Sequence, residues 1–228
     1  FISKIADIIK KLKLGHPIII VGLDCPTKDV WRTDLFPGYK GTRLLGEGIG
    51  KCGDGGGRDV FQFSYENELF KKAGAHMVIK HPKLEADDCL ALTVGNIRSI
   101  CPNNDIYIIT SDMDYLQLAG EHTFPIDLKY KLLTDSKNSF QNKDKDLFCK
   151  MVTGDKSDNI PGIFKRCGIK TAAKYYDDPV LFDKKLLECG NKEQYELNKT
   201  LIDFRNIPAK YVKEFNSGEY TVRHEQEN

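Results

Sequence analysis

No stretch of the 228 residues stays apolar over anything near the roughly 20 positions a membrane-spanning helix needs, and none reads as a secretory signal. A membrane-spanning helix is therefore not expected. Paired cysteine is missing as well. The seven cysteines are an odd number, stand singly and form neither a C-x-x-C pair nor a zinc spacing, which predicts reduced thiols and an intracellular setting. The five histidines show no ligand spacing. Nor is there an excess of one charge: 34 Lys and Arg against 33 Asp and Glu leave a net charge of +1. A uniformly basic DNA-coating protein is not expected, although acids gathered in one place can cancel bases gathered in another. With 40% hydrophobic and 29% charged residues, the chain can bury a core in one domain plus a small appendage.

Short apolar runs at His16–Leu23, Ala75–Ile79, Asp105–Thr110 and His122–Ile126 predict strands. They alternate with helical patterns over 1–13, 65–73, 85–100 and 112–119; in the first, Ile2, Ile5, Ile8, Ile9 and Leu12 share one face. That alternation predicts an α/β fold with a parallel, doubly wound sheet. Sites in such sheets form at the carboxyl ends of strands, where Asp24 and Asp112 fall. From about Asn142 the pattern becomes helical, so the expected division is an α/β core over 1–141 and a helical region over 142–228.

Acidic residues carry the chemistry. Leu84-Glu-Ala-Asp-Asp-Cys-Leu-Ala-Leu92 sets Glu85, Asp87 and Asp88 at the start of a helical pattern, with Glu85 and Asp88 one turn apart. Acids at that position also complement the helix dipole and cap free amides, so this segment alone does not establish a metal site. Two further segments change the balance. Ile106-Tyr-Ile-Ile-Thr-Ser-Asp-Met-Asp114 ends in Asp112 and Asp114, and Gly154-Asp-Lys-Ser-Asp-Asn-Ile-Pro-Gly162 supplies Asp155 and Asp158. Carboxylates that gather without a counter-charge protonate or splay, and hard divalent cations with oxygen ligands are the usual remedy.

These segments, in this order, resemble the 5′-nuclease (flap endonuclease) superfamily, especially its bacterial and phage branch, which includes the 5′-nuclease domain of DNA polymerase I and phage 5′–3′ exonucleases. The likeness extends to Val21-Gly-Leu-Asp24, to Trp31-Arg32 with Leu35-Phe-Pro-Gly-Tyr-Lys-Gly-Thr-Arg43, and to Leu201-Ile-Asp-Phe-Arg-Asn-Ile-Pro208. It covers about residues 17–208. Members open with a strand whose Asp helps hold the metals, followed by a helix. Here the helical pattern begins at Phe1, so that strand and its Asp are expected to be missing from this chain.

The resemblance implies a PIN-like core and two Mg²⁺ or Mn²⁺ ions about 4 Å apart that activate water and stabilise the leaving oxygen. Glu85, Asp87 and Asp112 are then expected to hold one ion with the missing Asp, and Asp114, Asp155 and Asp158 to hold or approach the other, with Asp88 a further metal candidate and Asp24 between ligand and supporting roles. Lys40 and Arg43 are expected to bracket the phosphate and Tyr39 to stack on a base, while Arg32 joins the DNA-binding set. The glycine-rich stretch from Leu44 to Arg58 holds seven of the 19 glycines and lacks the P-loop order, so 44–64 is expected to form the family's arch or clamp. Gly162-Ile-Phe-Lys-Arg-Cys-Gly168 and the following Ile169-Lys-Thr-Ala-Ala resemble the hairpin of a helix-three-turn-helix. Gly162, Lys165, Arg166, Gly168, Lys170 and Thr171 are the expected duplex contacts, and a K⁺ ion at the hairpin is implied. Expected partners are branched, flap, nicked or 5′-ended DNA and proteins of replication or recombination.

Two rival readings differ in class. A haloacid-dehalogenase-type phosphatase also uses a strand ending in Asp-x-Asp, but only about 40 residues separate Asp112 from the later acidic loop, too few for the intervening βα units. A non-catalytic, structure-specific DNA-binding module is the other alternative, and metal-dependent turnover distinguishes it.

Overall fold

The computed structural model describes residues 2–41, 63–64 and 68–223. Arg43 and the expected arch over 44–64, except residues 63–64, lie outside the described residues. By internal contacts the chain forms two compact units, each assembled from separated stretches: 1–30, 43–89 and 210–228 in one, 31–42 and 90–209 in the other.

In the first unit, helix α1 (Ile2–Lys11) follows the isoleucine spacing and ends in Lys10 and Lys11, where positive charge suits the dipole. Strand β1 (Ile20–Gly22) pairs in parallel with β2 (Met77–Ile79), Val21 opposite Val78. Leu23, Phe70, Ala75 and Val78 form the apolar cluster beneath them. The helix expected over 65–73 is described as α2, Leu69–Lys72. Strand β3 (Thr221–Arg223) adds antiparallel to β2, which corrects the expectation of an all-helical end. Its pairing is continued by Lys80 N–H donating to the Tyr220 carbonyl at 3.2 Å. Next to it, His81 is buried between the ring edges of Tyr211 and Tyr220.

In the second unit, strand β4 (Ile106–Ile109) pairs in parallel with β5 (Thr123–Ile126). Arg98, near the end of the Ala86–Ile100 helix (α3), donates to Thr123 Oγ1 at 3.2 Å, to the Pro102 carbonyl at 2.6 Å and to the His122 carbonyl. The segment expected as a helix over 112–119 is a 3₁₀ turn, Met113–Leu118, opened by the Asp112 side chain accepting from Asp114 N–H. Among the described residues the strands thus form a three-stranded mixed sheet and a two-stranded parallel sheet, a mixed α/β arrangement.

Helices α4 (Lys143–Thr153), α5 (Ile169–Asp177) and α6 (Pro179–Cys189) enclose Cys149, Val152, Ile163, Phe164, Ala172, Ala173, Phe182 and Leu186. Each start has a local cause. Asn142 caps the amides of Asp144 and Lys145, while Asp178 caps Leu181 with Pro179 in the first turn. From α7 (Lys192–Ile202), the fully buried Asn198 donates to the carbonyls of Met151 (2.9 Å) and Pro161 (2.8 Å), fixing the loop after α4. Helix α8 (Ala209–Asn216) precedes β3. No helix among the described residues is long and apolar enough to cross a membrane.

Candidate functional site

The first carboxylate group sits where β1 and the start of α3 meet within one unit. Glu85, Asp87 and Asp88 each offer an oxygen, all within 4.8 Å of one another, and Glu85 and Asp88 are buried. Local backbone orders them: Asp88 accepts from Glu85 N–H at 3.3 Å and Asp87 from Asp88 N–H at 2.8 Å. Asp24, just past β1, accepts from Ala86 N–H at 2.8 Å and so ties the strand end to the helix start. Buried carboxylates in such a group need positive charge, part of which the helix N-terminus supplies. The negative potential is visible in Cys25. Its burial and the charges of Glu85, Asp24 and Asp88 push the thiol up to about 12, leaving it neutral and poorly nucleophilic.

The second group, Asp114, Asp155 and Asp158, again places three carboxylate oxygens within 4.8 Å. Asp155 is fixed inside its own loop by Ser157 N–H (2.7 Å) and Ser157 Oγ (2.6 Å). The loop closes through paired backbone bonds between Asp155 and Ile160, at 2.9 and 2.7 Å. Glycine is required at both ends. Gly154 has φ +72° and a Cβ there would lie 2.4 Å from the Ile160 carbonyl oxygen, whereas one on Gly162 would lie 2.7 Å from that of Thr153. Sequence reasoning missed Lys150 on α4, whose Nζ contacts Asp114 and lies 2.7 Å from Asp155 Oδ2. A single lysine in a helix has no pattern that marks it out. Burial tends to raise the Asp155 carboxyl, but Lys150 and the Ser157 hydrogen bonds prevail and hold it at about 2. All-oxygen donor sets of this kind suit a hard divalent cation in both groups.

Asp112 and Asp24 belong to neither trio. Asp112 is exposed and caps the 3₁₀ turn that carries Asp114. Tyr39 and Lys40 lie against the second group: Tyr39 Oη donates to Asp158 Oδ2 at 3.2 Å, Lys40 N–H donates to the Asp158 carbonyl at 2.9 Å, and Lys40 Nζ is 3.8 Å from Asp158 Oδ1. Asn159, also missed, donates to the Gly38 carbonyl at 2.8 Å. Lys40 (φ 51°) and Asn159 (φ 62°) both adopt the left-handed region where the segments join, an uncommon backbone for such residues.

Two sequence expectations are corrected here. Tyr39 is only 3% exposed, with the cations of Arg32 and Lys40 near its ring, so it is not available to stack on a base. Arg32, expected on the DNA face, is 3% exposed on helix Trp31–Leu35; its guanidinium lies over Trp31 and its Nε donates to the Leu201 carbonyl at 2.7 Å. A planar guanidinium satisfied by a carbonyl and an aromatic face is a packing element.

Lys165, Arg166, Lys170 and Thr171 are exposed around the Gly162–Gly168 turn, as is Lys174. Arg166 has φ 57°, and Gly168 heads α5 with no side-chain cap. Nothing in the backbone geometry requires glycine at Gly168. Its φ is −92°, and a Cβ there would meet nothing within 4 Å. The open backbone at this helix start suits the approach of an anion.

A family model described as the 5′–3′ exonuclease, N-terminal resolvase-like domain matches residues 1–146. DNA polymerase I of Streptococcus pneumoniae is 28% identical over 227 residues, covering 86% of this chain and 23% of that protein. DNA polymerase I of Borreliella burgdorferi is 31% identical over 211 residues, covering 86% of this chain and 21% of that protein. The chain thus spans less than a quarter of the length of these relatives. Among solved structures, bacteriophage T5 flap endonuclease in complex with DNA and metal ions aligns with a TM-score of 0.72 at 16% identity, over 95% of this chain and 87% of that one. Zinc-bound T5 5′-exonuclease aligns with a TM-score of 0.72 at 18% identity over the same shares, a likeness of fold. The family match extends over well more than half of the chain, which therefore belongs to the 5′–3′ exonuclease N-terminal, resolvase-like domain family.

Proposed function

We propose that this protein is a structure-specific, divalent-metal-dependent 5′-nuclease, a 5′–3′ exonuclease or flap endonuclease that hydrolyses phosphodiester bonds in branched or nicked DNA during replication, repair or recombination. The observation that carries this reading is the pair of carboxylate trios, each with oxygens within 4.8 Å, in a chain of this family. Divalent ions, Mg²⁺ or Mn²⁺, would lower the pKa of a bound water and neutralise charge on the scissile phosphate. Glu85, Asp87 and Asp88 would hold one and Asp114, Asp155 and Asp158 the other, with Asp112 and Asp24 as further ligands or supports.

The remaining residues position and bind. Tyr39 orients Asp158 through its hydroxyl, and Lys40, with Arg43, supplies positive charge to the phosphate as it becomes more negative. The turn from Gly162 to Gly168 and the start of α5 act as the hairpin of a helix-three-turn-helix, offering backbone N–H groups to a duplex phosphate while Lys165, Arg166, Lys170 and Thr171 add charge and hydrogen bonds. A K⁺ ion held at this hairpin would add positive charge for the phosphate. The two parallel strand pairs fit the doubly wound, PIN-like plan. In function, 1–141 serves as nuclease core and 142–228 as duplex grip. The T5 complex with DNA supports a DNA substrate. An intracellular protein that meets replication or recombination partners completes the reading.

The test is cleavage of a 5′-labelled flap duplex with Mg²⁺ or Mn²⁺ and with EDTA. Metal-dependent release of the 5′ strand is expected. Flap binding without turnover at any metal concentration would instead identify a DNA-binding module.

A further inference from the structure

Lys150 sits against two of the three carboxylates of the second group. Its Nζ contacts Asp114 Oδ1 and lies 2.7 Å from Asp155 Oδ2, and the side chains of all three are sheltered, at 23%, 14% and 13% exposure. The ammonium therefore occupies the space between two carboxylates that an oxygen-ligated cation would also take. Both cannot occupy it. Metal–oxygen bonds of about 2.0–2.6 Å draw the carboxylates around the ion, and a second positive charge at hydrogen-bond distance from the same oxygens is repelled. A lysine can yield the place, because its charge is carried on a flexible four-carbon stem.

We propose that Lys150 is the resident counter-ion of the Asp114–Asp155–Asp158 group and that a divalent ion binds there by displacing it, so that Lys150 sets the metal affinity of this group. The inference rests on the metal-binding reading given under Proposed function. It has a structural corollary. With its charge already balanced, the Gly154–Gly162 loop holds its shape without a metal, and Asp158 keeps its contacts to Tyr39 and Lys40. Metal entry then exchanges one cation for another in a preformed cradle.

The experiment is Mn²⁺ binding to the full chain, followed by calorimetry and by the magnetic-resonance signal of free Mn²⁺, in the wild type, Lys150→Met and Lys150→Arg. Lys150→Met is expected to bind one Mn²⁺ about fivefold more tightly, the effect of one unit charge at about 4 Å in water. Lys150→Arg should stay near wild type, and the gain should vanish in an Asp155→Asn background. Mn²⁺ should also raise the Tm of Lys150→Met by more than that of the wild type. If Lys150→Met does not fold without metal, Lys150→Gln decides by the same criterion. Equal or weaker Mn²⁺ binding by the charge-free variant, with wild-type binding intact, overturns the inference and leaves the nuclease reading standing. Failure of every variant and the wild type to bind Mn²⁺ overturns both.

Discussion

The two carboxylate groups are built in different ways. Glu85, Asp87 and Asp88 come from four consecutive positions, are ordered by amides of their own helix start, and are largely buried. Asp114, Asp155 and Asp158 come from a 3₁₀ turn and a glycine-bounded loop, and Lys150 reaches them from α4. A local group depends on one helix beginning in the right place. An assembled group depends on loop closure, on the docking of the Tyr39-Lys40 segment, and on a cation that stands in when no metal is bound.

The sharpest way to break this comparison is Asp155→Asn. It removes a charge from the assembled group while leaving the isosteric side chain to accept from Ser157, and should lower flap cleavage by about a thousandfold or more with flap affinity retained. Asp112→Asn makes a useful companion. Asparagine can still cap the 3₁₀ turn, so a comparable loss of rate at unchanged Tm would report a ligand role, and a near-normal rate would restrict Asp112 to capping.

Loop closure comes next. Gly162→Val forces a Cβ against the Thr153 carbonyl and should cost about 2–4 kcal/mol in denaturant unfolding. Gly168→Val meets open space in an ordinary backbone region and should cost less than about 1 kcal/mol. Equal costs would contradict the account of the loop.

Lys40→Ala tests the docked segment. If Lys40 acts on the developing charge, the single-turnover rate should fall by about ten- to a hundredfold while flap affinity changes little. A parallel loss in both would place Lys40 among ordinary phosphate contacts.

The smallest effect concerns the first unit and pH. His81 accepts from Lys83 N–H through Nδ1 (3.1 Å), and its Nε2 lies 3.1 Å from Glu214 Oε2. The neutral ring with hydrogen on Nε2 satisfies both, whereas protonation would set a second N–H against the Lys83 amide. Burial lowers the His81 pKa, outweighing the hydrogen bond and charge of Glu214 and the charge of Asp88. The unfolded chain therefore takes up a proton near pH 6.5 that the folded chain does not, and stability should fall as pH drops below about 6.5. Replacing His81 with Asn should flatten that slope, as read by urea unfolding between pH 7.5 and 5.

What the sequence discloses follows the same division between local and assembled structure. Glu85 to Asp88 and Asp155 to Asp158 were legible because their acids lie within a few positions of each other. The strands before Asp24 and Asp112 were legible from short apolar runs, although His16–Leu23 shortens to Ile20–Gly22. Strand β3 was not, because it pairs with Met77–Ile79 from far along the chain and its three residues have no local signature. Arg32 beside Trp31 looks like a surface pair, and only the distant Leu201 carbonyl shows that it is buried. Lys150 was hidden for the same reason: its role depends on Asp114, which reaches it from a separate turn.

The central claim is that both groups are metal sites of a nuclease. Anomalous diffraction from crystals grown with Mn²⁺ tests it most directly. Manganese is expected at Glu85–Asp87–Asp88 and at Asp114–Asp155–Asp158. Manganese at neither trio, with the ions instead scattered over surface carboxylates, would contradict the account.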